Sequence, residues 1–234
     1  MPDKIRIKIM FDAISADYDR LNHLLSLGSD RIWRRRALRE ILDPDAPQRI
    51  LDVACGTGDF SLEMARRMHP GSRLTGLDLS PGMLAVMRGK LEKKGLQDRI
   101  ETVEGSCERL PWGDATFDRV TIAFGIRNFE DRSAALAEIL RVLRPGGKLV
   151  ILELSVPSIP VIRTFYLFYF RHILPRIGGI ISGDRRAYEY LPASVLAFPA
   201  PAEWMAFMQE CGYGEIRHRA FTLGVCRMYT GTKA

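Results

Sequence analysis

The residues best placed to do chemistry gather at Gly56-Thr57-Gly58, with Asp59 directly after them and Asp78 twenty residues beyond Gly58. An apolar run from Ile50 to Ala54 leads in, and Asp59-Phe-Ser-Leu-Glu-Met-Ala-Arg-Arg-Met68 restarts at helical spacing. The glycines therefore join a buried parallel strand to a helix. Glycines there let a ligand reach the backbone, and the helix start offers unpaired N–H groups. A dinucleotide would ask for a third glycine beneath its diphosphate, but Ser61 stands in that place. Asp59 adds a carboxylate in the first helical turn, which suits the helix dipole, repels a diphosphate and tolerates a cationic ligand. Asp78, followed by Leu79, ends a second apolar run at a strand tip, where a carboxylate can hold ribose hydroxyls. The expected ligand carries a ribose and a sulfonium or amine and no phosphate, which describes S-adenosylmethionine. A phosphate-binding or redox unit lacking one glycine is the alternative.

The elements that must position these residues alternate along the chain. Residues 49–54, 73–79, 99–104, 117–123 and 147–154 read as strands, and 59–68, 81–94 and 131–143 as helices. Pro81 suits a first helical turn, Gly95 a helix end, and Pro145-Gly-Gly147 a turn into the fifth strand. Such alternation gives a parallel sheet with right-handed crossovers and helices on both faces. A final helix over Ala202–Cys211 precedes strands Glu215–Ala220 and Val225–Thr230, which lie too close in sequence to be anything but antiparallel neighbours. The expected fold is α/β: a Rossmann-like, seven-stranded, doubly wound sheet with an antiparallel terminal hairpin. It is expected as a single domain with a helical cap (1–44), a cofactor-binding core (49–154), an insert (155–200) and a C-terminal helix and hairpin (201–234).

The cap reads as one or two amphipathic helices over residues 4–27, with Met10, Phe11, Ile14, Tyr18 and Leu21 at helical intervals. Ser29 or Asp30 can cap a further helix ended by Asp43-Pro44. That helix carries Arg31, Arg34, Arg35, Arg36 and Arg39, which is a solvated face or a patch for nucleic acid or membrane. In the insert, Phe165-Tyr-Leu-Phe-Tyr-Phe170 packs aromatics into a helix over about 161–174, apolar on nearly every side and too short to span a bilayer. It reads as a lid over a large apolar substrate or an interfacial helix, with a buried core helix as the plainer alternative.

The 234 residues are 47% hydrophobic and 26% charged, which excludes a disordered chain. The N-terminus Met-Pro-Asp-Lys-Ile-Arg leads into no apolar core, so no secretory signal is expected. The four cysteines lack metal-ligand spacing, so no metal is expected, and a reducing cytoplasm is the default. A net charge of +6 permits an acidic partner such as an anionic lipid surface.

In an open α/β sheet the ligand sits at the carboxyl ends of the strands. Ser106 and Cys107 follow the third strand, where an adenine edge would be read; Cys107 as a nucleophile is the weaker alternative. Ala123 and Phe124 end the fourth strand and would line the floor under the methionine moiety, with Arg127 and Asn128 at the mouth where an acceptor must approach. Asp52-Val-Ala54-Cys-Gly56-Thr-Gly58 resembles the first motif of class I S-adenosylmethionine-dependent methyltransferases, with Ala54 in place of the usual first glycine.

The chain as a whole resembles the ubiquinone/menaquinone biosynthesis C-methyltransferases. The resemblance rests on Phe11-Asp-Ala-Ile-Ser-Ala-Asp-Tyr-Asp19, Leu21-Asn-His-Leu-Leu-Ser-Leu-Gly28, Trp33-Arg34 and Cys55-Gly-Thr-Gly-Asp59. Phe124-Gly-Ile-Arg-Asn128, Leu143-Arg-Pro-Gly-Gly-Lys148, His172-Ile-Leu-Pro175, Tyr188-Glu-Tyr-Leu191 and Phe198-Pro199 extend it. It implies C-methylation of a polyprenylated hydroquinone, demethylmenaquinol or its counterpart in the ubiquinone pathway, a 2-methoxy-6-polyprenyl-1,4-benzoquinol. It also implies cofactor contacts at Thr57, Asp78, Ser106, Cys107 and Ala123, beside Asp52, Gly56, Gly58 and Leu79 of the same tips. Ser106-Cys107 and Ala123 depart from the family's commonest residues. A ring carbon beside a phenolate is nucleophilic, so the enzyme must align it and assist loss of the phenol proton. Arg127 stays protonated and is expected to stabilise the phenolate, with Asn128 assisting and Tyr18 closing the pocket. His172 and Asp19 are alternative bases. The membrane-borne tail implies a cytoplasmic protein held peripherally at a membrane surface by the aromatic insert and cap. A homodimer is left open. Methylation of a soluble small molecule or of RNA is the competing reading, and nucleic acid is not an expected partner.

Overall fold

The computed structural model describes residues 3–174, residue 176 and residues 185–234, with side chains of the last segment described from residue 190 onward. Its centre is one seven-stranded sheet in the order β3-β2-β1-β4-β5-β7-β6. The strands are β1 (Arg49–Val53), β2 (Arg73–Asp78), β3 (Ile100–Glu104), β4 (Phe117–Ala123), β5 (Leu143–Leu154), β6 (Gly214–Phe221) and β7 (Cys226–Thr232). The first five run parallel, and β7 enters antiparallel between β5 and β6. Ile50, Leu51 and Val53 of β1 are fully buried, as a central strand covered on both faces requires. β5 begins earlier than its hydrophobic pattern suggests. Leu143 already pairs with Phe117, and Pro145-Gly-Gly147 is accommodated as a register shift before Lys148 pairs with Arg119.

The helices follow the periodicity closely. α1 (Lys4–Ile14), α2 (Tyr18–Leu25) and α3 (Ser29–Ile41) form the cap. α4 (Asp59–Ala65), α5 (Pro81–Lys94) and α6 (Arg132–Val142) are the crossovers. α5 is capped by Ser80, whose hydroxyl accepts from the N–H of Met83, and is closed by Gly95 in the left-handed conformation. Neither Ser29 nor Asp30 caps α3. Gly28 takes the cap position, while Asp30 is buried and turns its carboxylate to His23, Ser26 and Arg34. Of the α3 arginines only Arg34 is buried, so the others form a solvated face.

The insert holds more helix than the sequence pattern shows. α7 (Pro160–Phe168) continues into a widened turn over Tyr169–Ile173, and α8 (Arg185–Leu196) follows. The pattern misses α8 because Pro192 lies inside it. α7 is also not apolar to the same effect on all sides. Tyr166 and Phe170 pack inward against Ile14, Leu21 and Met83, while Val161, Phe165 and Phe168 stand exposed. α9 (Pro201–Glu210) then carries the fully buried Trp204 onto β7 beside Tyr229.

Candidate active site

A cleft of about 770 Å3 lies over the carboxyl ends of β1, β2 and β4, with α1 as one wall. Gly56, Asp78, Leu79, Ser106, Cys107, Ala123, Phe124 and Asn128 line it. Asp78 is pinned between two loops, accepting from the Gly56 N–H at 2.7 Å and the Ser80 N–H at 2.9 Å. Burial raises its pKa against the pull of those N–H groups. Its remaining lone pairs are available to ribose hydroxyls. Cys107 lines the cleft wall, and burial, with Glu108 beside it, pushes its thiol up to about 12, which disfavours the thiolate that a nucleophile needs.

Asp59 does not play the part expected of it at the glycine turn and does not line this cleft. Its carboxylate is held by Lys90 Nζ at 2.7 Å, Arg34 Nη1 at 3.4 Å and His23 Nε2 at 3.2 Å, and burial is outweighed by Lys90 so that its pKa is lowered. The bias against phosphate comes from other residues. Lys4 and Lys8, the lysines lining the cleft, are paired with Glu108 and Glu104, so neither is free to meet a diphosphate. The residues present therefore fit a ribose-bearing cation such as S-adenosylmethionine.

Three other expected contacts turn out to hold the loop. Asp52 is 1% exposed and accepts from the hydroxyls of Ser61 and Thr121. Burial raises its pKa to about 6 despite those bonds. Thr57 is buried and donates its hydroxyl to Asp19 of α2. Gly58, at φ +81°, is packed so that an added Cβ would lie 2.5 Å from Met87 Cγ. None of the three lines the cleft. Ala54 sits at φ +54° beside Gly125, where an added Cβ would lie 2.7 Å from the Ala54 Cβ.

A second cavity, of about 1020 Å3, meets the first at Tyr18 and Phe124, which line both. Its walls are mostly apolar: Trp33, Tyr166, Phe170, Leu174, Leu191 and Val225 contribute, drawn from the cap, the insert and the terminal hairpin. Arg127 lines this cavity and not the cofactor cleft, so its expected place at the cleft mouth is corrected. It sits in a short 3-10 turn over Ile126–Asn128 and is 6% exposed. Its Nη1 donates to Glu153 Oε1 at 2.9 Å and to the Phe124 carbonyl, and its Nε donates to Ser194 Oγ at 3.3 Å. Burial acts to lower its pKa, but Glu153 and then Tyr18 outweigh it and hold it above the ordinary arginine value. It is a permanent buried cation.

Glu153 was not foreseen. The signal for it was an acid inside the apolar run Val150-Ile-Leu-Glu-Leu154, since a buried charge demands a partner. Tyr190, on the unforeseen α8, donates its hydroxyl to Asn128 Oδ1 at 3.0 Å. Burial raises the pKa of Tyr18, against the pull of Arg127 and a hydrogen bond with Asn22. The alternative bases do not reach the substrate space. Asp19 is engaged by Thr57 and Lys90 and lines neither cavity, and His172 is exposed on the insert surface against Phe168. Pro175 and the side chains of Tyr188 and Glu189, part of the late block of the resemblance, lie outside the described residues.

The model of the ubiE/COQ5 methyltransferase family matches residues 2–233. A Geobacter sulfurreducens protein named ubiquinone/menaquinone biosynthesis C-methyltransferase UbiE is 48% identical over 228 residues, covering 97% of this chain and 88% of its own. A Deinococcus radiodurans protein named demethylmenaquinone methyltransferase is 48% identical over 227 residues, covering 97% of this chain and 92% of its own. Among solved structures, a SAM-dependent methyltransferase from Thermotoga maritima superposes with a TM-score of 0.66 over 97% of this chain and 99% of that one, at 18% identity. That likeness bears on the fold alone.

Proposed function

The chain belongs to the ubiE/COQ5 methyltransferase family, and we propose that it methylates a ring carbon of a polyprenylated hydroquinone, demethylmenaquinol foremost, with S-adenosylmethionine as donor. The observation that carries this reading is the junction at Tyr18 and Phe124 of a polar nucleoside cleft with an apolar cavity. A soluble small acceptor has no use for walls built from Trp33, Tyr166, Phe170 and Leu174.

When bound, S-adenosylmethionine supplies a methyl group made electrophilic by its sulfonium. Asp78 holds the ribose, and Ser106 and Cys107 flank the adenine. The cavity residues hold the quinol ring at the junction, which replaces a chance encounter by a fixed approach. Arg127 faces the ring oxygen as a fixed cation and favours its phenolate form, while Glu153 behind it sets the guanidinium in place. Asn128, oriented by Tyr190, completes the polar edge of an otherwise apolar site.

The tail of such a substrate lies in a membrane. Among the described residues no helix is long and apolar enough to cross one. Val161, Phe165 and Phe168 on α7 form an exposed apolar face at spacings of four and three, with Arg163, Arg171 and Arg176 exposed around it. This composition suits shallow docking to an anionic leaflet. Purified enzyme with methyl-labelled S-adenosylmethionine and each reduced demethyl-quinone in detergent tests the reaction; label in the naphthoquinol product is expected, and label in neither quinol refutes it. Flotation with anionic vesicles, lost in a Phe165→Glu, Phe168→Glu variant, tests the docking.

A further inference from the structure

Each turnover of the reaction proposed above, on which this inference rests, releases one proton. The methyl group arrives without its bonding electron pair and replaces a ring hydrogen. The sulfur keeps the pair, and the displaced hydrogen leaves as a proton. That proton appears in an apolar cavity, where a stranded charge is costly. Arg127 cannot carry it away, because it is already a cation.

A polar stripe does lead out. Tyr18, Asn22, Ser26 and Asp30 recur at intervals of four along the cap, and all four line the apolar cavity. Asp30 is the one carboxylate among the described residues that line it. Tyr18 is hydrogen-bonded to Asn22. Ser26 Oγ donates to Asp30 Oδ1 at 2.8 Å, and Asp30 Oδ2 lies 2.8 Å from His23 Nδ1. The other ring nitrogen of His23 faces away, 3.2 Å from Asp59. His23 and Asp59 line a separate charged groove of about 930 Å3, to which Asp30 does not contribute. The Asp30–His23 pair is thus a wall with one face in the substrate cavity and the other in the groove. His23 is met by Asp30 of α3 and Asp59 of α4, both also paired with Arg34 of α3, while Asp19 of its own helix and Lys90 of α5 border the same groove.

We propose that this stripe, ending at His23, is the route by which the reaction's proton leaves the cavity. Tyr18 takes the proton of the quinol hydroxyl while passing on its own. After methyl transfer the ring hydrogen moves as a proton to that oxygen and restores the hydroxyl, so one proton is exported per turnover. A cavity water beside Asn22 carries the proton from Tyr18 to Ser26, and Ser26 relays it to Asp30. His23 receives a proton at Nδ1 and releases one from Nε2 to water in the groove. Every group on the path gives up as many protons as it takes, so none ends with its charge changed. Histidine suits the final position because each of its two ring nitrogens can carry a proton and the two face opposite sides.

The test uses the full-length enzyme, saturating S-adenosylmethionine and demethylmenaquinol in detergent. His23→Gln and His23→Ala are expected to lower kcat about 10²-fold in dilute buffer, in the range of a lost proton-transfer group, with KM for S-adenosylmethionine unchanged. Imidazole is expected to restore the His23→Ala variant in proportion to its concentration, since the groove admits it. Ser26→Ala is expected to raise the solvent deuterium isotope effect on kcat. A purely structural His23 would give slow variants that imidazole does not restore, and that result overturns the route. Parent-like kcat in His23→Gln in dilute buffer overturns it equally. Should His23→Ala not fold, the solvent deuterium isotope effect on kcat of His23→Gln decides: a raised effect supports the route, and a parent-like one refutes it. A parent enzyme that labels no quinol refutes the methyl-transfer reading itself, and the route with it.

Discussion

Replacing Gly125 by alanine should damage the enzyme for a reason that a second substitution can remove. The new Cβ would stand 2.7 Å from the Ala54 Cβ and 3.5 Å from Ile122 Cγ2. Methyl carbons rest at about 3.5–4.0 Å, so roughly 1 Å of separation must be recovered by moving the β1–α4 turn away from the end of β4. Gly125 has φ −107°, which alanine adopts freely, so the clash is the whole of the penalty. Overpacking of this kind costs about 1–3 kcal/mol. Ala54→Gly removes the opposing methyl. It also relieves a left-handed alanine, worth about 1–2 kcal/mol, and loosens the unfolded chain by about 0.4–1 kcal/mol; the single Ala54→Gly variant should therefore be at least as stable as the parent, by up to about 1.5 kcal/mol. The double variant should match Ala54→Gly alone, giving a coupling of about 1–3 kcal/mol. Urea unfolding of the parent, both single variants and the pair measures this directly. Calorimetric titration with S-adenosylmethionine should show weakened binding in Gly125→Ala alone, because both residues line the cofactor cleft. A Gly125→Ala protein as stable as the parent, or a double variant no better than Gly125→Ala, would refute the reasoning.

Two further outcomes follow from buried charges. Arg127→Ala should lower turnover by about 10²-fold with cofactor affinity little changed. By stranding Glu153 it should also cost about 3–5 kcal/mol of stability, part of which Glu153→Gln should restore in a thermal melt without restoring turnover. The Asp52 carboxyl titrates at about 6 in the folded protein against 3.8 as its ordinary value, raised first by burial. Between those values the folded state binds more protons than the unfolded one, so the contribution of Asp52 is fully present below about pH 4 and is lost as pH rises through 6. Relative to Asp52→Asn, the parent should lose on the order of 3 kcal/mol between pH 4 and pH 7, read from urea midpoints across that range; parallel stability curves for the two proteins would exclude the effect.

Much of this protein was determined by local pattern. The five parallel strands, the crossovers and the terminal hairpin were legible because apolar runs of strand length alternate with helical periods, and because Pro81, Gly95 and the glycine turn punctuate them. Asp78, Ser106, Cys107, Ala123 and Asn128 were legible as cleft residues because they fall at strand tips, and a doubly wound sheet binds ligands there. What the chain order cannot express is which partner a charge finds. Asp59 looked like a ligand contact in its helix turn, but Lys90, Arg34 and His23, from three other helices, took its carboxylate. Arg127 looked set at the cleft mouth and is instead buried against Glu153, across a strand and 26 positions away. The apolar cavity is likewise made only when cap, insert and hairpin converge on Phe124. Strand and helix follow from interactions a few residues long; charge pairing and cavity shape depend on distances that exist only after the sheet has closed and excluded water.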